Sequence, residues 1–398
     1  PDRRGAARVT WVLTRLFGRL PIGWLQLSHN RTRLLAALAG VAFANVLVFV
    51  QLGILGALNG TITAPYALFK ADILLSSSDA NTLTDGSNVA RVRGYEALSV
   101  PGVARATPLW VANLDWLRED GTTSTLQTFA LDPAQPDKLI PPLNAAARAL
   151  QLEDTVLIDT ATRGLRAGHL DGIADGTPYR FEANNRTLSA VGTLSMGGGF
   201  SADGTLITSD QTFFRLFSNR SPSAPSHILI TVVDGVDPTV VVDRLRAALP
   251  DTVKVDTLMG AADADQRYQT TERPTGIIFG FGVLIGVLVG IVIVYQILST
   301  DVADHLREYA TFKAMGYGQS FFMGIVFEEA IILALLGFIP GIAISLAFYV
   351  GLSSATGLPI AMDAATALAV FVGTLVACSV SGAVATRRLA RADPADLF

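Results

Sequence analysis

GIIFGFGVLIGVLVGIVIVYQIL, from Gly276 to Leu298, holds no charged residue and is long enough for one helix to cross a bilayer. A buried helix of a soluble domain seldom runs so far without charge, so the stretch reads as a membrane span. Three more follow the same pattern. LLAALAGVAFANVLVFVQLGILGAL runs from Leu34 to Leu58, a third begins near Phe321 and ends near Leu352, and AATALAVFVGTLVACSVSGAVAT runs from Ala364 to Thr386. The first is longer than the apolar core of a signal peptide and is expected to be retained. Across the 398 residues, only 16% are charged and mean hydropathy is +0.43. Soluble domains carry about a quarter charged residues, so the deficit agrees with lipid burial.

Orientation follows from the basic residues flanking the spans. Arg3, Arg4, Arg8, Arg15, Arg19, Arg31 and Arg33 precede the first span against a single acid, Asp2, and Arg387, Arg388 and Arg391 follow the fourth. Both ends are expected in the cytosol. Residues 59–273, between spans one and two, carry 18 basic and 25 acidic residues, a net charge of −7, and are expected outside it. The expected organisation is a cytosolic amphipathic segment (1–33), spans at 34–58, 274–298, 321–352 and 364–386, an outer domain at 59–273, a cytosolic loop at 299–320 and a tail at 387–398. In the first segment Val9, Val12, Leu13, Leu16, Phe17 and Leu20 form one helical stripe, with Arg8, Arg15 and Arg19 off it. That pattern suits a helix lying on membrane lipid or on a partner protein.

The outer region has soluble-domain texture. ADILLSSS from Ala71 reads as a strand, VARVRGYEALSV from Val89 as a helix and ARATPLWVANLDWL from Ala104 as a pair of strands. The order recurs late, with HILITVV from His227 a strand, DPTVVVDRLRAALP from Asp237 a helix and VKVDTL from Val253 a strand. Two β-α-β units around a β-rich insert, roughly 136–212, predict a split α+β domain of ferredoxin-like type. The fold class is thus an α-helical membrane protein with four transmembrane helices plus a large α+β extracytosolic domain.

Catalytic motifs are absent from the sequence. His29, His169, His227 and His305 are scattered without zinc spacing, and the single Cys excludes an intrachain disulfide. None of the four lysines follows the glycines of a phosphate-binding loop, so the chain is expected to bind no ATP itself, no metal and no other cofactor. An acidic balance argues against nucleic acid. GGGF from Gly197 reads as a flexible turn.

Within the spans, Gly282, Gly286 and Gly290 recur every four residues, as do Gly276 and Gly280. Such ladders let two helices approach closely, here across a homodimer, although glycine is also common in membrane helices generally. Gly337 and Pro340 in GFIPG are expected to kink the third span. Glu328 and Glu329 fall about 12 Å along it, near headgroup depth, where a structural role outweighs ion handling. Asn45 and Gln51 lie about 240° apart around the first span, so they share no face, and each is expected to bond a neighbouring helix.

The loop STDVADHLREYATFKAMGYGQSFF, from Ser299, is expected to be helical to about Met315 and capped by Gly316. REYATFKAMGYGQS within it resembles the loop of MacB/FtsX-type ABC transporter permeases, most closely those of DevC type. WLQLSHNRTRLLAALAGVAFANVLVFVQLG, VPGVARATPLW, VFEEAIILALLGFIPG and ADPADLF extend the resemblance over nearly the whole chain. The resemblance implies a bacterial inner-membrane homodimer bound to two separate ATP-binding subunits, which would hold ATP and Mg. It also implies a periplasmic outer domain, a HlyD-like membrane fusion protein, a TolC-like outer-membrane channel and export of a lipid, glycolipid, peptide or drug. In the family the loop touches the ATPase; carried over, this points to Arg307, Glu308, Tyr309, Thr311, Phe312, Lys313, Met315 and Gly316. Relatives of FtsX type instead signal ATPase state to a periplasmic hydrolase, and a receptor without ATP coupling is a third reading.

Overall fold

The computed structural model describes residues 22–391 except 30, 119, 135–138, 140–142, 144–145, 167, 306–307, 309–310 and 313–314. The amphipathic stripe from Val9 to Leu20, the ADPADLF tail, Arg307, Tyr309 and Lys313 lie outside the described residues. The chain divides into two compact units. One takes residues up to Leu55, Ile278–Gly351 and those from Ile360 on; the other takes Gly56–Ile277 and Leu352–Pro359.

The α/β unit is built on one nine-stranded sheet in the order β5-β6-β4-β7-β3-β2-β8-β1-β9. β1 (Ile73–Ser77), helix α3 (Val92–Leu98) and β2 (Val103–Leu117) form the first β-α-β unit. β8 (His227–Val232), helix α5 (Pro238–Ala248) and β9 (Val253–Thr257) form the second. These four strands lie side by side as β9-β1-β8-β2 with every pairing antiparallel, the split β-α-β arrangement expected from the sequence.

One expectation is corrected. ARATPLWVANLDWL is not a pair of strands but part of one 15-residue strand, β2. Its first half, to Leu109, pairs with β8, and its second half, from Trp110, pairs with β3 (Thr123–Leu131). The change of partner needs no turn, so the sequence carries no break. The β-rich insert joins the core sheet. β3, β4 (Thr155–Asp159), β5 (Tyr179–Ala183), β6 (Arg186–Leu194) and β7 (Gly204–Ser209) prolong the core sheet through alternating parallel and antiparallel pairings. Asn184 and Asn185, both at positive φ, form the β5–β6 turn, a conformation asparagine tolerates.

Strand periodicity explains the cores. Ile73 and Leu75 with Ile228 and Ile230 pack beneath α3 and α5. Leu74 and Leu229, one residue out of phase, face the opposite core with Leu109, Phe129 and Ile207. That second core is closed by the 3-10 turn Ala64–Leu68 and by helix α6 (Leu258–Thr271). The described helix α4 (Asp210–Leu216) is capped by Ser209, whose hydroxyl accepts from Thr212 N.

Helix α1 (Ile22–His29), α2 (Arg31–Thr63), α7 (Pro274–Asp304), α8 (Gln319–Thr356) and α9 (Ala364–Arg391) make up the rest. Among the described residues four helices are long and apolar enough to cross a membrane, and they contain the four expected spans. α8 runs through Pro340 as one helix. Gly337, read from sequence as part of a kink, is a packing seat: a Cβ there would lie 2.7 Å from Val41 Cβ on α2. Gly341, one turn on, would bring its own Cβ within 2.9 Å of Asn45 Cβ. Asn45 accepts from Thr374 Oγ1 of α9 at 2.6 Å, while Gln51 faces α7, so each does meet a neighbouring helix.

The glycine ladder of α7 is filled from within the chain. Cβ atoms built at Gly282, Gly286 and Gly290 would meet Gln51 (2.6 Å), Val48 (3.5 Å) and Ala44 (3.2 Å), all on α2. The face assigned above to a second copy is therefore the α2–α7 contact. Gly276 belongs elsewhere: a Cβ there would collide with the backbone of Gln269 and Thr270, so it serves the sharp elbow between α6 and α7.

Candidate functional site

The loop after the second span is built on a helix end. Met315 N donates to Thr311 O at 3.1 Å, the last α-type bond, and Tyr317 N reaches back to Phe312 O at 3.2 Å. Gly316 between them has φ +92°. A bond from the second residue past the helix to its last full turn, with a left-handed glycine between, is the Schellman closure, and it satisfies a carbonyl that the helix leaves open. Gly316 thus caps the loop helix as its sequence implied.

The apolar contact that accompanies this closure is present. The rings of Phe312 and Tyr317 meet edge to face, with centroids 5.8 Å apart. Phe321, at the start of α8, completes the group at 4.5 Å from Tyr317 and 6.0 Å from Phe312. Phe321 in turn stacks edge-on against Phe322, which is buried in the helical core beside Trp24, Leu27 and Val302. The turn is therefore tied to the helix that follows it. Phe312 is half-buried in this cluster, whereas Met315 is 60% and Tyr317 46% exposed. Thr311 is exposed as well.

Polar ties link the loop region to α1 and to the start of α2. Arg33 Nη1 pairs with Asp304 at 2.6 Å, and Gln26 Nε2 donates to Glu308 Oε2 at 3.3 Å. Both are surface contacts, worth about 0–1 kcal/mol each. Burial contributes more. Trp24 and Leu27 of α1 enter the helical core. Glu328 and Glu329, 3% and 0% exposed, lie under α1: Trp24 N donates to Glu328 Oε1 at 3.4 Å, and Gly23 is seated on Glu329. The two acids thus serve the α1–α8 contact. Sequence reading found the acids but not their partner, although WLQL after Pro21 carries the apolar pair, Trp24 and Leu27, at helical spacing.

Of the sequence-derived loop residues, the structure brings Phe312, Met315 and Gly316 to one capped helix end, with Thr311 one turn back and Glu308 on the α1 side. Tyr317 joins them; the signal for it was its place directly after the cap glycine, where an apolar ring is favoured.

Residues 280–394 match the family model described as FtsX-like permease C-terminal, a region that holds most of α7, the loop, α8 and α9. No curated protein sequence matches the chain. Among solved structures, the periplasmic region of MacB from Actinobacillus actinomycetemcomitans is similar over 53% of this chain and 96% of that one, at 13% identity and TM-score 0.33. The extracellular domain of the noncanonic ABC-type transporter YknZ from Gram-positive bacteria aligns over 47% and 98%, at 9% identity and TM-score 0.32. A domain of a putative permease protein from Porphyromonas gingivalis aligns over 48% and 89%, at 17% identity and TM-score 0.29. Three of the four apolar helices, most of α7 with α8 and α9, and the capped loop thus fall within the region similar to the FtsX-like permease C-terminal domain.

Proposed function

We propose that this chain is the DevC-type permease of a tripartite exporter in a bacterial inner membrane, a mechanical subunit worked by separate ATPases. The observation that carries the reading is the capped helix end inside the matched region, which presents Met315 and Tyr317 to solvent while Phe312 and Phe321 anchor it to α8. Exposed apolar side chains on a rigid support are the form of a docking knob.

Two ATP-binding subunits, holding ATP and Mg, would engage the loops of a homodimer. Closure of the ATPases would push on the loop, and α8 would receive the push through the aromatic cluster. The α/β domain, lying in the periplasm in this reading, would change shape and drive a lipid, glycolipid, peptide or drug through a HlyD-like fusion protein into a TolC-like channel. Such a switch needs the motor to contact the two states differently, since equal contact shifts no equilibrium.

The test is Met315→Glu in the full chain, with Tyr317→Glu as a second variant. Met315 sits at the surface, so folding is expected to persist in the first variant, whereas Tyr317→Glu also removes two ring contacts of the turn. Loss of at least tenfold in affinity for the cognate ATPase, with loss of export, is the expected result; unchanged association overturns the reading. The FtsX-like character of the matched family supports a second reading, signalling to a periplasmic hydrolase. Copurification of a hydrolase in place of a fusion protein would select it.

A further inference from the structure

The GGGF turn is not a loose connection. Asp159 accepts from Met196 N (3.1 Å), Gly197 N (2.9 Å) and Ala161 N (3.0 Å), fixing the turn's start. Arg163 donates to Gly199 O at 2.6 Å and to Asp203 Oδ1 at 3.2 Å, and Gly199 N closes on Ala202 O at 2.7 Å. A Cβ at Gly198 would sit 2.9 Å from Asp203 O, so the turn has no room for a side chain there. Held in this way, the turn walls a cavity of about 50 Å³ in the α/β unit.

The cavity's other walls carry a charge and an apolar strip. Leu58 and Ile62 of α2 and Phe200 of the turn supply the strip, and Phe200 is 39% exposed. Asp265 and Gln269 of α6, with Gln127 of β3, supply the polar part. Asp265 is 3% exposed. Its Oδ2 accepts from Tyr66 Oη (2.9 Å) and Leu83 N (3.0 Å), and its Oδ1 from Gln269 Nε2 (2.7 Å). All three donors are neutral, and among the described residues no Lys, Arg or His side chain pairs with it. A buried carboxylate usually has a cationic partner. Burial pushes the Asp265 carboxyl above its ordinary range, and nearby Asp85 pushes the same way, so a cation entering the cavity would relieve a standing cost.

We propose that this cavity receives the ammonium head of a single-tailed amphiphilic amine, with the carboxylate of Asp265 facing the charge and the tail leaving along Leu58, Ile62 and Phe200. About 50 Å³ gives room for three or four water-sized groups, which fits an ammonium and its first methylenes. A phospholipid head is too large, and its phosphate would meet Asp265. The inference rests on the export reading only in naming such an amine as cargo.

The full chain in nanodiscs of phosphatidylcholine, without ATPase, is titrated with dodecylamine at pH 7, using dodecanol and laurate as neutral and anionic probes. Dodecylamine is expected to bind saturably and at least tenfold more tightly than either. Asp265→Asn is expected to lose at least tenfold, and Phe200→Ser, which shortens the apolar strip, severalfold. Equal affinity for dodecanol, unaltered affinity in Phe200→Ser with its fold intact, or equal competition by phosphatidylethanolamine in the nanodisc overturns the proposal. Such a failure would leave ATPase docking through Met315 untouched, because the titration contains no ATPase.

Discussion

Tyr66 donates its hydroxyl to Asp265 Oδ2 at 2.9 Å, joining the turn that follows the first membrane helix to the helix that precedes the second. The two residues are 199 positions apart. Leu83 N donates to the same oxygen, and Leu83 O accepts from His227 Nε2, so one carboxylate and one imidazole bracket a single residue of the β1–α3 connection. The bond is buried and one partner is a carboxylate, a class worth about 1.5–3 kcal/mol. Tyr66→Phe is expected to destabilise the α/β unit by that amount with little change in packing. Thermal unfolding of the purified chain checks it; a shift below about 0.5 kcal/mol would mean the tie is incidental.

Glycines in the spans divide into seats and open positions, and the division is testable. Gly337 and Gly341 receive Val41 and Asn45 of α2 at distances a methyl group would violate, and Gly53 abuts the ring of Tyr349. Around Gly280 a Cβ would meet nothing within 4 Å. Gly337→Ala and Gly53→Ala are therefore expected to cost about 1–3 kcal/mol through overpacking. Gly280→Ala is expected to be neutral or to stabilise by up to about 1 kcal/mol, since alanine is the better helix former. Melting of each variant in detergent reads the order directly, and a Gly280→Ala loss as large as that of Gly337→Ala would refute it.

What was legible in the sequence was local or periodic. Four apolar runs marked four helices, and the two β-α-β units were read because each alternates apolar residues within a few positions of a turn or cap. What escaped was set by distant partners. The small-residue spacing of Gly282, Gly286 and Gly290 says that a helix comes close, not that the helix is α2 of the same chain. The change of partner midway along β2 leaves no mark, because the strand runs straight on from its β8 half to its β3 half without a turn. Likewise the GGGF turn looks mobile until Asp159, 38 positions before Gly197, is seen to hold its backbone N–H groups. The loop after the second span was the exception in part: its cap glycine was readable from spacing, whereas the ring cluster of Phe312, Tyr317 and Phe321 came only with the structure.

His227 makes the α/β unit sensitive to acid. Its Nδ1 meets Ser76 Oγ and its Nε2 donates to Leu83 O, both at 2.9 Å, and burial holds its pKa below the usual 6.5. Asp85 nearby favours the charged form but is outweighed. Because the folded state disfavours the proton, the contribution is full above pH 6.5 and is lost as pH falls, at up to about 1.4 kcal/mol per pH unit. Asp159 and Asp265, raised by burial, act oppositely: their contribution is full below the ordinary carboxylate range and is lost as pH rises through their raised folded-state values. The histidine's own share is therefore read by removing it. His227→Gln is expected to be less stable at pH 7.5 yet to lose less melting temperature as pH falls from 7.5 to 5; parallel curves for the two proteins would exclude the histidine as the sensor.

Gly316 and Met315 separate the shape of the loop from its contact surface. Gly316 sits at φ +92°, where any side chain is strained, so Gly316→Ala is expected to cost about 1 kcal/mol and to open the closure between Tyr317 N and Phe312 O. With the closure open, the ring of Tyr317 would leave Phe312 and Phe321, and the exposed end would lose its fixed form. Met315→Glu leaves that geometry alone and changes only the exposed side chain. If the loop works as a rigid knob, both variants weaken ATPase association at least tenfold, and only Gly316→Ala also raises hydrogen exchange at Tyr317 N–H. If Gly316→Ala raises exchange but leaves association unchanged, the surface acts without its support, and the push cannot reach α8 through the aromatic cluster.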